Sequence, residues 1–164
     1  MKKILIPFIG MALCLATACD GPKYPKVGDT QPLLKHFSVT LNSTKEEDSI
    51  KYLKNYGDEQ LTTDVENNKH FIVCNFTIKH DESDEDSHKL DKNDFKLNTE
   101  YQKPLTSFGN IVEDYQWIGK EFSKNSNETI EVAFKVGSNI KLNNNFFVQV
   151  DFSNAFLNGI YFQI

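Results

Sequence analysis

Residues 70–79, His70-Phe71-Ile72-Val73-Cys74-Asn75-Phe76-Thr77-Ile78-Lys79, constrain the fold more than any other stretch. Their density of β-branched and aromatic side chains suits a central strand and leaves no helical period. Alternation puts Ile72, Cys74, Phe76 and Ile78 on one face, and Phe71, Val73, Asn75 and Thr77 on the other. A central strand needs a partner strand along each edge, so the chain needs further strands.

The sequence supplies them. Phe37, Val39 and Leu41 alternate with Ser38, Thr40 and Asn42. Ile130, Val132, Phe134 and Val136 form an inward set, with Glu131 and Lys135 turned outward. Phe146, Val148, Val150 and Phe152 alternate with Phe147, Gln149 and Asp151. Shorter strands are predicted at Asp94–Leu97 and around Asn158-Gly159 within 156–164, and Pro104 marks 101–108 as an edge segment. Turns are expected at Gly119 and Asn125–Asn127. The charged stretch 43–68 has one near-helical spacing, Ile50, Leu53 and Tyr56, which predicts a short helical turn. Together these patterns predict an all-β, antiparallel, immunoglobulin-like sandwich of about seven strands.

The 164 residues suffice for one such domain, and 13 Phe and 6 Tyr supply a packed interior without disulfides. The domain is expected over 35–164. Residues 19–34 carry Gly21, Pro22, Pro25, Gly28 and Pro32 and read as an extended tether. Residues 1–18 read as a leader. Lys2-Lys3 precedes an apolar run, Ile4 to Leu15, that is interrupted by Pro7 and Gly10 and is too short to span a bilayer. Ala16-Thr17-Ala18 would suit an ordinary signal peptidase, which would release a soluble protein. Cys19 directly after Ala18 turns the reading towards a lipobox, and the stretch resembles that of bacterial lipoproteins. That resemblance implies a diacylglycerol thioether on Cys19, which becomes the mature N-terminus. The domain would then face the periplasm or the extracellular side of the cell envelope. Its expected partners are the membrane, through the lipid anchor, and another envelope or surface protein.

The charge pattern narrows the partners further. All 18 positive charges are lysine, against 23 acidic side chains and a net charge of −5. An acidic chain without arginine lacks the bidentate fork that reads phosphates and guanine, so no nucleic-acid partner is expected. Of the three cysteines, Cys14 lies in the leader, Cys19 is the lipidation candidate, and Cys74 points with the apolar face of its strand as a small hydrophobe.

No glycine cluster cradles a phosphate, no G-x-S-x-G elbow occurs, and His36 and His70 sit at strand starts rather than beside a nucleophile. No cofactor and no enzymatic reaction are expected. The acidic loop 80–88 is the one dense group of potential ligands. Asp84, Asp86 and His88 alternate there and are candidates for Ca²⁺ or Zn²⁺, although the EF-hand glycine and distal glutamate are missing. Tyr115, Trp117, Phe122 and Phe147 are either surface anchors for a protein contact or part of an aromatic-rich core. The expected function is a membrane-anchored, non-enzymatic binding or structural module. The alternative is a cation-binding or sensing domain that uses the 80–88 loop.

One family pattern runs through these elements. A strand like 69–79 is followed by a polar loop, Asp94-Phe95-Lys96-Leu97, a segment bearing Tyr101, a polar turn at 125–127, and a T-x-x-V-x-F-x-V strand from Thr129 to Val136. The order resembles bacterial extracellular immunoglobulin-like domains of unknown function, the DUF4352-like group, which are often tethered as lipoproteins. Ser123-Lys124-Asn125-Ser126-Asn127 stands where that group often has a Pro-Gly turn. The resemblance implies a β-sandwich outside the cytoplasm and transfers no catalytic residue.

Overall fold

A computed structural model of the protein describes residues 24–34, 36–53, 60–64, 68–81, 88–100, 103–104, 110–111, 119–143, 146–152 and 159–164. In chain order the strands are β1 (Thr30–Leu34), β2 (Phe37–Glu47), β3 (Ser49–Leu53), β4 (Gln60–Asp64) and β5 (Lys69–His80). They continue with β6 (Phe95–Glu100), β7 (Lys103–Pro104), β8 (Asn110–Ile111), β9 (Asn127–Gly137), β10 (Phe147–Val150) and β11 (Ile160–Gln163). One sheet runs β1-β2-β5-β9-β8 and a second runs β11-β10-β6-β7, with a separate β3-β4 pair. All these strand pairings are antiparallel, and the fold is an all-β sandwich, as the sequence predicts. No helix among the described residues is long and apolar enough to cross a membrane.

β5 is the middle strand of the first sheet. It pairs with β2 from Phe37↔His80 to Glu47↔Phe71, and with β9 from Lys69↔Gly137 to Lys79↔Asn127. Its inner face carries Ile72, Cys74, Phe76 and Ile78, all fully buried. Phe76 reaches across to the second sheet, with ring centroids 5.4 Å from Phe95 and 6.3 Å from Phe162. Val132, Phe134, Val148 and Val150 complete the interior between the two sheets. Cys74 lies wholly inside it, and burial pushes its thiol pKa well above the ordinary value.

The outer face of β5 is divided. Phe71 and Val73 are buried although they point away from the interior of the sandwich. β3 packs against β5, and Ile50 joins the same apolar cluster. The helical turn predicted from Ile50, Leu53 and Tyr56 is therefore corrected. Residues 49–53 form a strand because pairing with β4 satisfies their backbone and brings Ile50 into the apolar cluster that holds Phe71 and Val73. Tyr56 lies outside the described residues. Beyond Val73 the outer face is more open, and its side chains turn polar at the half-buried Asn75 and Thr77 and the exposed Lys79.

The tether reading of 19–34 is corrected over its described part. Thr30–Leu34 adds to the first sheet along β2, the Gly28 amide donates to the Leu41 carbonyl, and Lys26 bridges Gln163. The prolines and glycines there fit an edge strand, where unpaired amides face out, as well as they fit a linker. With β1, the β3-β4 hairpin and the short β7 and β8, the described strands number eleven rather than about seven. The predicted edge at Pro104 is found at β7, which pairs with β6 alone.

The second sheet is buried on its outer face too. Phe147, Gln149 and Tyr161 point away from the sandwich interior yet are as enclosed as core residues, and Asn98 is fully buried. Tyr24 meets Phe147 edge-on with centroids 4.9 Å apart. Gly159 is required by a close approach, since a Cβ there would lie 2.6 Å from Gln149 Nε2. Both polar atoms of the Asn98 side chain, and Gln149 Nε2, have no hydrogen-bond partner among the described residues.

At the far end of β2, Glu46 clamps the connection after β9. Its Oε1 accepts from the Leu142 amide at 2.6 Å and its Oε2 from Lys141 Nζ at 3.2 Å. The Leu142 amide and Lys141 hold the Glu46 pKa below its ordinary value despite some desolvation.

Two outcomes follow from this packing. Phe76→Ala removes the ring that joins the two sheets and is expected to cost about 3–5 kcal/mol in denaturant unfolding, with the m-value unchanged. Because the folded-state pKa of Glu46 is lowered, its contribution is present above about pH 4.5 and is lost as the pH falls through the lowered value. Tm measured from neutral pH to pH 3 is therefore expected to fall less in Glu46→Gln than in the unaltered protein.

Candidate functional site

The inner face of β5 begins and ends with histidine. His70 and His80 are both buried, one at each end of the run Ile72 to Ile78. At the His80 end, backbone bonds stitch three segments together. The Asp81 amide donates to the His36 carbonyl at 2.9 Å, the His80 amide to the Ser126 carbonyl at 3.0 Å, and the Asn125 amide to the Asp81 carbonyl at 3.1 Å. Asn125 takes a positive φ of 56° to make this turn, a conformation asparagine tolerates better than most residues. The result is a cleft of about 500 Å³ at the end of the sheet, lined by Pro32, Ser38, Lys79, Asp81, Asn125 and Asn127 with His36, Phe37, His80 and Ser126.

The electrostatics of the cleft follow from its histidines. The His80 ring stacks on Phe37 with centroids 4.3 Å apart and planes 2° from parallel. Its Nδ1 lies 3.2 Å from the Ser123 carbonyl oxygen. A carbonyl only accepts, so Nδ1 carries a proton. Its Nε2 is buried with no hydrogen-bond partner among the described residues, and so is Ser126 Oγ. Leaving such a group unmade costs about 1–3 kcal/mol, which marks the pair as functional candidates. At the rim, His36 Nδ1 donates towards both oxygens of Asp81, at 3.1 and 3.2 Å.

The floor of the cleft continues a regular surface. Pro32↔Ser38↔Lys79↔Asn127 is one cross-strand row, and Thr30↔Thr40↔Thr77↔Thr129 is the next along the same face. The second row consists entirely of threonine. Thr30 and Thr40 hydroxyls lie 2.6 Å apart, Thr77 and Thr129 hydroxyls 3.3 Å apart, and Asn42 Nδ2 donates to Thr77 at 2.9 Å and to Asn75 at 2.7 Å.

The residues singled out in the sequence are dispersed. Cys19, Asp84, Asp86, Tyr115 and Trp117 lie outside the described residues. His88, the described member of the metal candidates, is engaged elsewhere. Its Nε2 lies 2.7 Å from Asp94 Oδ2, and its ring stacks on Phe152 at 4.2 Å. Asp94 also closes a capping box on the short 3₁₀ turn Lys92–Asp94, accepting from the Asp91 amide. Among the described residues no three His, Cys, Asp or Glu side chains are grouped to hold a metal ion. Phe122 and Phe147 are buried, as the core reading of the aromatics expects. His80, Ser126 and Asp94 carry no motif. The signals for two of them are the even spacing from Ile72 to His80 and the Asp91-x-x-Asp94 capping pattern.

No family model matches this chain, and no curated protein matches it. Two solved structures are similar to it. An uncharacterised β-sandwich protein from Clostridium difficile 630 is 14% identical, with 88% of this chain and 97% of that one covered at a TM-score of 0.52. The yjhA protein from Bacillus subtilis is 16% identical, with 85% and 98% covered at a TM-score of 0.52. At these identities the likeness is one of architecture, and it agrees with the β-sandwich built strand by strand above.

Proposed function

We propose that this protein is a cell-envelope lipoprotein, anchored through lipid on Cys19, whose β-sandwich is a non-enzymatic binding module. The observation that carries the anchor is the order Lys2-Lys3, apolar Ile4–Leu15, Ala18, Cys19. The reading of the domain as one of the DUF4352-like immunoglobulin-like modules belongs to the same proposal. The cleft at the His80 end of β5 supports a binding role, because it is a recess of about 500 Å³ that Ser38, Lys79, Asp81, Asn125 and Asn127 line with polar groups.

The short link to the fold gives the proposal a geometry. Tyr24, Pro25 and Lys26 already belong to the folded part, since the Pro25 carbonyl accepts from the Gln163 amide. Five Cα steps from Cys19 to Tyr24 reach at most roughly 17 Å. A lipidated Cys19 would therefore hold the sandwich close against the bilayer rather than on a long stalk. A diacylglycerol unit supplies two chains, which anchors stably where one chain would not.

The test is expression of the full chain in a bacterial host fed an alkyne-tagged fatty acid. The expected product begins at Cys19, carries the tag and sediments with membranes, and Cys19→Ala loses both tag and sedimentation. Mass spectrometry showing an unmodified N-terminus, or a start elsewhere, overturns the anchor.

A further inference from the structure

We propose that the turn Lys26–Asp29 is a second membrane contact, with Val27 seated in the interfacial layer of the bilayer that holds Cys19. This names the surface through which the lipoprotein proposed above meets its membrane, and it rests on that reading.

The turn is where the chain passes from the edge of one sheet to the edge of the other. The Pro25 carbonyl accepts from the Gln163 amide and Lys26 bridges Gln163, so the entering residues lie along β11. From Thr30 onward the chain runs along β2 instead. Between them the Asp29 amide donates to the Lys26 carbonyl at 3.0 Å, and the Gly28 amide to the Leu41 carbonyl at 2.7 Å. The Lys26 amide donates to Asp29 Oδ2 at 2.8 Å, and Gly28 takes a φ of 94° to close the reversal. A turn tied to both sheets presents its tip in a fixed direction. That tip is Val27, which is 44% exposed and is the one exposed large hydrophobic residue among those described. Lys26 beside it is exposed as well.

A lone exposed valine is ordinary on a protein surface, and it is the position of Val27 that gives it meaning. Eight Cα steps separate it from Cys19, a span of at most roughly 28 Å even when fully extended. The turn therefore cannot leave the neighbourhood of a bilayer that holds the Cys19 lipid. The same numbers select the occupant. A specific protein partner needs about 800 Å² on each side, far more than one valine and one lysine stem supply. A bilayer needs no matching surface, and the lipid on Cys19 already brings it to the turn. Val27 would meet the boundary of the acyl chains, while the Lys26 stem lies along it and keeps its ammonium among the headgroups. The sandwich would then rest on the edge formed by β1 and β11. β9 stands three strands from β1 in the first sheet, roughly 14 Å away across the strand spacing, and stays in water.

The experiment uses the full, lipidated chain in vesicles of phosphatidylcholine and phosphatidylglycerol that contain a nitroxide-labelled lipid. Cys14 leaves with the leader, Cys19 is capped by lipid, and Cys74 is fully buried with its thiol pKa pushed up. Val27→Cys therefore accepts a polarity-sensitive fluorophore at one place, and Thr129→Cys on the exposed face of β9 is the control. The probe at 27 is expected to emit further to the blue and to be quenched roughly twofold or more beyond the probe at 129. Equal quenching at the two positions overturns the contact. Hydrogen exchange gives a second measure without a label. Exchange across 26–29 is expected to be slower in the vesicle-bound protein than in Cys19→Ala, and Val27→Asp is expected to remove the difference. Equal exchange in the bound and Cys19→Ala proteins also overturns the contact. Flotation of the same vesicles separates the two proposals. Protein that floats without quenching at 27 sinks the contact alone, whereas protein that does not float sinks the anchor and the contact with it.

Discussion

The structure depends on the burial of β5 on both of its faces. The inner face presses Ile72, Cys74, Phe76 and Ile78 against the second sheet, and the outer face hides Phe71 and Val73. Burial at roughly 25 cal/mol per Å² makes this strand a large part of the driving force for folding. The remaining elements are arranged to cover it. β2 and β9 saturate its backbone along almost its whole length, β10 and β6 lie under it, and β3 packs against it. A one-residue slip of β5 would turn Asn75, Thr77 and Lys79 inward and expose Phe76, which is why its register is so long, with β2 taking up the one irregularity between Leu41 and Ser43.

That constraint explains where polar groups are concentrated. A strand buried in its middle meets water only at its ends, and both ends of the inner face are histidine. One end lies beside Glu46, with His70 Nε2 3.9 Å from Oε2, and the other lies at the end of the sheet that bears the cleft. Glu46 ties down the chain after β9, so that end is closed by structure. The cleft lies at the His80 end, and ring nitrogens at both ends, His70 Nδ1 and Nε2 and His80 Nε2, are buried without a hydrogen-bond partner among the described residues. The second sheet shows the same economy less completely, with Asn98 and Gln149 enclosed on a face that Tyr24 helps to cover.

Much of this was legible in particular residues. The alternations in 37–42, 70–79, 130–136 and 146–152 identified the main strands and the buried cysteine, and Pro104 identified an edge. The β3-β4 hairpin was not legible, because Ile50, Leu53 and Tyr56 satisfy a helical spacing and only pairing with 60–64 decides between the two. The role of 24–34 was hidden for a similar reason. Gly and Pro mark a linker and an edge strand alike, and the difference is whether β2 has a free edge beside them. His80 looked like the first residue of a polar loop, since its partners Phe37, Ser123 and Ser126 are remote in sequence.

By itself, then, the sequence determined the all-β class and the inward set of each long strand. Those are local properties, written in residue period and in contiguous apolar or small residues. Only the tertiary structure decided that the threonines from β1, β2, β5 and β9 stand in one row, and that His80 and Ser126 share a cleft. Such arrangements depend on register between strands far apart in the chain. Burial of β5 sets that register for the assembled sheet, and no single segment encodes it.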